Sequence, residues 1–119
     1  MSKLAKRKTL PKDFDELLKN GDIEALKAVF TKCEINAVTD KYGFNAFGQG
    51  PLPRAFAFWL KEQGGNVNQP NYYGETPIFG HASAYYGDVA LLLELGAGMS
   101  KNRSFSIIVW LVYIAPLLL

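Results

Sequence analysis

Tyr72-Tyr73-Gly74-Glu75-Thr76-Pro77-Ile78-Phe79 decides the reading of this 119-residue chain, because part of its layout occurs again upstream. Tyr42-Gly43 lies 31 positions before Tyr73-Gly74, and Ile35-Asn36 lies 32 before Val67-Asn68. Gly64-Gly65-Asn66-Val67-Asn68 also lines up 32 positions before Gly96-Ala97-Gly98-Met99-Ser100. A period near 32 residues points to stacked supersecondary units. Such stacks offer a binding surface far more often than a catalytic pocket.

Working outward, each period divides into helices. The third is the clearest: Thr76 caps, Pro77 opens, and a first helix runs over 78–86 despite Gly80. Tyr85 and Tyr86, near its end, are expected in the core. Gly87 turns the chain, Asp88 caps a nearly wholly apolar helix over 89–95, and Gly96 ends it. In the first period, Asp13 with Glu16 three residues on marks a helix start, and Phe14, Leu17 and Leu18 give the apolar face. Asn20-Gly21 stops that helix, and Asp22 caps a second bearing Ile23, Leu26, Val29 and Phe30. A polar connection over 37–43 ends in a turn at Lys41-Tyr42-Gly43.

The middle period is less regular. Gly48 and Gly50 each weaken a helix by roughly 1 kcal/mol relative to alanine, so 44–50 reads as an irregular turn or frayed helix. Pro53 suits the first position of the next helix. Phe56, Trp59, Leu60 and Gln63 share one face of it, Gly64-Gly65 stops it, and its aromatic load marks it as the core anchor.

On these residues the sequence resembles the ankyrin repeat family. Gly74-Glu75-Thr76-Pro77-Ile78-Phe79 is similar to the family's Gly-x-Thr-Pro-Leu-His opening, with Phe79 at the histidine position. Gly96-Ala97 resembles the Gly-Ala after its second helix, and Val67-Asn68 and Ile35-Asn36 resemble its hydrophobic-Asn ending. The resemblance spans about 13–103, as units 13–41, 42–72 and 73–103, and implies an all-α fold: a short ankyrin-like solenoid of helix-turn-helix repeats. Phe79 departs from the pattern, since it cannot make the histidine's hydrogen bonds between turns. His81, where the family has a small alanine, is not given that role. The short last helix is similar to those of small bacterial ankyrin-like proteins, which implies a bacterial source.

The charge is uneven, and it sets off both ends. Net charge is +2, but residues 1–12 hold five cations and no acid, while 13–103 hold eight cations against eleven acids. Residues 1–12 read as a basic, disordered leader. No aromatic is interleaved with those cations, so nucleic acid is not an expected partner. Residues 104–119 carry no charge and do not continue the repeat. Three readings of this tail compete: a packing segment closing the stack, a membrane anchor, or a truncated or frame-shifted ending of a longer array. Fifteen residues of helix span only about 22 Å against roughly 30 Å of hydrocarbon, so the anchor is not the favoured reading. The expected setting is cytoplasmic, with membrane association as the alternative, since no secretory signal core is seen near the start.

Chemistry finds little to work with. One cysteine, Cys33, and one histidine, His81, exclude an internal disulfide and supply no zinc site or nucleophile–base pair by themselves. Cys33 reads as a small buried residue near a helix end, and His81 as a packed or partly exposed helix residue. Asp13, Glu16, Asp22, Asp88 and Glu94 fall at helix starts or on exposed faces, where capping and solubility explain them. No phosphate-loop pattern occurs. The expectation is therefore no enzyme, no metal and no cofactor. The resemblance implies instead a partner protein bound through turn tips and first helices. The residues this selects are Tyr42, Phe44, Tyr72, Tyr73 and Glu75, since tyrosine offers a large ring with a polar end at low entropic cost.

Overall fold

The computed structural model describes residues 5–84, 87–98 and 117. Its elements are β1 (Arg7–Thr9), α1 (Phe14–Asn20), α2 (Ile23–Val29), β2 (Cys33–Val38), a 3₁₀ turn (Ala46–Gly48), α3 (Arg54–Glu62), α4 (Pro77–Ser83) and α5 (Val89–Glu94). The fold is a small α/β domain, and this corrects the all-α solenoid expected above. β1 and β2 form a two-stranded parallel sheet, with Arg7 opposite Cys33 and Thr9 opposite Val38 and an irregularity between the two pairs. The helical hairpin α1–α2 is the crossover that parallel strands require. Arg7 N–H donates to Lys32 O at 2.9 Å and Leu10 N–H to Val38 O at 2.9 Å. Part of the stretch expected as a solvated leader is thus strand, and Leu10 beyond it is buried.

The three periods are not equivalent in shape, which is the second finding against repeat architecture. Among the described residues, the first holds two seven-residue helices and a strand, the second a 3₁₀ turn and one nine-residue helix, and the third two short helices without a strand. What the internal similarity does preserve is local. Asn36 Oδ1 accepts from Asn66 N–H at 2.7 Å, and Asn68 Oδ1 accepts from Gly98 N–H at 2.8 Å.

Most helix ends follow the sequence signals. Asp22 accepts from Ala25 N–H at 3.2 Å and Asp88 from Leu91 N–H at 3.0 Å, satisfying first-turn donors. Gly21 ends α1 in the left-handed region at φ +68°. Two caps depart from expectation: Asp13 and Thr76 hold the N-cap positions of α1 and α4 without bonding through their side chains. Pro53 immediately precedes α3.

One core runs through the domain. Phe14, Phe30, Phe56 and Trp59 form a chain of rings with centroids 5.9 to 6.3 Å apart, joining α1, α2 and α3. Leu18, Leu26, Leu60, Ile78, Leu92 and Leu95 are fully buried around it and toward α5. Each such side chain contributes about 1.5–3 kcal/mol through burial. Cys33, expected as a small buried residue, is buried in β2, where its S–H donates to Thr9 O at 3.4 Å. Tyr85, Tyr86 and the tail 104–119 (save Leu117) lie outside the described residues, so their expected roles do too. No helix among the described residues is long and apolar enough to cross a membrane.

Candidate functional site

Two tight turns lie side by side, and each requires a glycine. At the first, Thr39 N–H donates to Phe44 O at 3.0 Å, and Gly43 takes φ +79°. At the second, Asn71 N–H donates to Glu75 O at 2.8 Å, and Gly74 also takes φ +79°. Side chains other than glycine rarely adopt that conformation. Tyr72 N–H donates to Tyr42 O at 3.1 Å and fastens one turn to the other. A Cβ at Gly43 would stand 2.7 Å from the Tyr72 ring, so the missing side chain is also what seats that ring.

Asn71 organises the second turn from inside. It is buried, and its Oδ1 accepts from both Tyr73 N–H and Glu75 N–H at 2.9 Å. Its Nδ2 donates to Glu75 Oε1 at 3.0 Å. One amide side chain therefore fixes the backbone under Tyr73 and the carboxylate of Glu75 together. Sequence reading passed over Asn71; its signal was an asparagine just before Tyr-Tyr-Gly, where an Asx turn forms.

The rings above these turns face solvent. Tyr42, Tyr72 and Tyr73 keep 50%, 62% and 70% of their surface accessible, in contrast to the buried phenylalanines of the core. The Tyr42 and Tyr73 rings lean on each other at 6.4 Å and 55°, and Lys41 Nζ stands 5.5 Å from the Tyr42 ring centre. Large rings held on a braced backbone lose little entropy when a partner covers them. Phe44 is half-buried and, with Tyr42 and Glu75, lines a groove of about 270 Å³ beside the turns. All five residues selected from the sequence thus fall on the two turns or in the groove adjoining them.

Two of the grooves among the described residues are larger. One of about 600 Å³ shares Thr39, Tyr42 and Gln49 with the first and extends the same face toward α1. The other, about 530 Å³, lies over Phe30 and Trp59, with Lys27 Nζ 5.8 Å from the Trp59 ring centre. Its rings belong to the core cluster, which gives them a packing role already.

His81, expected as a packed or partly exposed helix residue, is buried and serves as a clasp. Its Nε2 lies 2.8 Å from Phe47 O, and Asp88 N–H donates to Nδ1 at 2.9 Å. An N–H pointing at Nδ1 requires that nitrogen to be unprotonated, so Nε2 carries the hydrogen. Burial lowers the imidazole's pKa, opposed by the Phe47 carbonyl and the Asp88 charge. On the surface, Arg54 and Glu94 form a bidentate pair that raises the guanidinium's pKa and lowers the carboxyl's. Both side chains are well exposed, so the pair contributes little to stability. Among the described residues no three His, Cys, Asp or Glu side chains gather where they could hold a metal ion.

No protein-family model matches the chain, and no curated protein matches it. The resemblance to ankyrin repeats rests on the quoted residues alone, and the fold does not follow it.

Proposed function

We propose that this chain is a protein-binding module whose contact surface is the pair of turns bearing Tyr42, Tyr72 and Tyr73, with Phe44 and Glu75 beside them. Binding rather than catalysis is its activity on this reading, and a reducing cytoplasm suits its one buried thiol. The observation that carries the proposal is the combination of exposure and bracing. Three neighbouring tyrosines expose at least half their surface, while the backbone beneath them is tied by Asn71 and by the Tyr72–Tyr42 bond. Exposed aromatics on a pre-ordered backbone are what high-value interface positions need.

A photo-crosslinking amino acid at Tyr72 identifies the partner, and titration calorimetry then measures its affinity. Tyr73→Ala with Glu75→Ala is expected to weaken that complex by about 30-fold or more, in line with about 2 kcal/mol for a central interface aromatic. Glu62→Ala, on the exposed end of α3, should change affinity less than twofold. Circular dichroism should show unchanged helix content in both. Unchanged affinity in the double variant would dismiss the surface.

A further inference from the structure

The groove beside the tyrosines is walled by rings, bare backbone and the polar side chains of Thr39, Gln49 and Ser83, with a single formal charge among its described residues. Tyr42, Phe44 and Phe79 line it as rings, Gly48 and Gly80 as bare backbone, and Glu75 is the one carboxylate, with no lysine, arginine or histidine, among its described lining residues. Its volume, about 270 Å³, is below the roughly 300–1,000 Å³ of pockets for whole small molecules, and suits one long side chain. The two glycines set its shape. A Cβ at Gly48 would sit 2.6 Å from Phe44 Cβ, and one at Gly80 would meet the end of the Phe44 ring at 3.3 Å. Their bareness lets the ring lie against the backbone and keeps the space beside it open.

Glu75 is held in place yet has no counter-ion among the described residues. Asn71 Nδ2 bonds one carboxylate oxygen, and Asn71 Oδ1 accepts from the Glu75 amide. Glu16, Glu24 and Glu94 each pair with a lysine or arginine, whereas no salt bridge to Glu75 is formed among the described residues. An anchored anion among aromatic faces is the environment that attracts a cation, through the ring quadrupoles and the charge together. Arginine fits best, because its flat guanidinium can stack on a ring while its N–H groups meet a carboxylate.

We propose that this groove receives an arginine side chain of the partner protein, with its stem along Phe44 and Phe79 and its guanidinium against Glu75. The inference deepens the tyrosine-face reading and rests on it. N-acetyl-arginine methylamide serves as the probe, followed by amide chemical shifts of the full chain. Saturable shifts at Gly48, Glu75 and Gly80 are expected, with a Kd of about 1–10 mM for so small a ligand. The uncharged isostere N-acetyl-citrulline methylamide should bind at least about tenfold more weakly. Glu75→Gln, which keeps an oxygen for Asn71, should abolish that preference while its amide spectrum stays folded. Equal shifts with both probes, no shift with either, or a preference surviving in Glu75→Gln would each overturn the proposal. If the arginine probe fails while Tyr73→Ala with Glu75→Ala still weakens the partner complex, the groove's role falls and the tyrosine face stands. If the probe binds while that complex is indifferent to the double variant, the face falls as the partner's site, and this role with it.

Discussion

His81 is bonded at both ring nitrogens, and only its neutral form fits both bonds. Protonation would place a second hydrogen on Nδ1, facing the Asp88 N–H that now donates to it. Burial, the largest influence, lowers the imidazole's pKa in the folded chain. The unfolded chain, with an ordinary value of about 6.5, therefore binds more protons as pH falls below that value. Stability is retained above about pH 6.5 and lost as pH falls toward the folded value, by at most about 1.4 kcal/mol per pH unit. Urea midpoints should drop between about pH 7.5 and 5.5 in the parent chain. His81→Gln should be less stable at the upper pH, by about 1–3 kcal/mol, and lose little more on acidification. A parent midpoint that holds constant across that range would contradict the neutral clasp. The Glu94 carboxyl is lowered below its ordinary value, so its own loss falls at more acidic pH and leaves this window clear.

At the scale of elements, β1 is the feature whose origin is least local. Arg7-Lys8-Thr9 carries two charges in three residues, which reads as solvated chain; only pairing with β2 makes it a strand. Strand preference reflects the surface a segment packs on more than its own residues, so a period-based reading misses it. Leu10 is where the strand's docking can be measured. Leu10→Ala should lower stability by about 2–5 kcal/mol in a denaturant titration, as for other buried leucines, where a solvated leader would show no effect. The helices were more legible, since Asp22, Asp88 and Gly21 act through neighbours only a few residues away. The core face of α3 was also readable, with Phe56 and Leu60 fully buried. Asp13 and Thr76 show the limit of such signals: the right residue at the right position still leaves its side-chain bond unmade. Long-range ties were invisible as well. Lys6 Nζ donates to Phe30 O at 3.0 Å just beyond α2, and Lys61 Nζ to Leu95 O at 2.6 Å just beyond α5. Each places a cation on the orphan carbonyls and negative dipole end of a distant helix.

For the molecule as a whole, the period near 32 residues produced the turns but not the architecture. Gly43 and Gly74 make like turns, and Asn36 and Asn68 make like bonds to following backbone. Between them the chain builds different things, a strand in one place and a 3₁₀ turn in another. This is why the tyrosine face was legible although the fold class was not: the face depends on the repeated turns, the fold on what differs. Asn71 was missed because its work is side chain to backbone within one turn, with no periodic trace. The central claim concerns that face, and amide hydrogen exchange of the complex with the crosslinked partner tests it most directly. Binding should slow exchange at residues 40–44 and 71–75 relative to the free chain, with the Trp59 groove unchanged. Slowed exchange confined to the surface around Trp59, with both tyrosine turns exchanging as in the free chain, would contradict it.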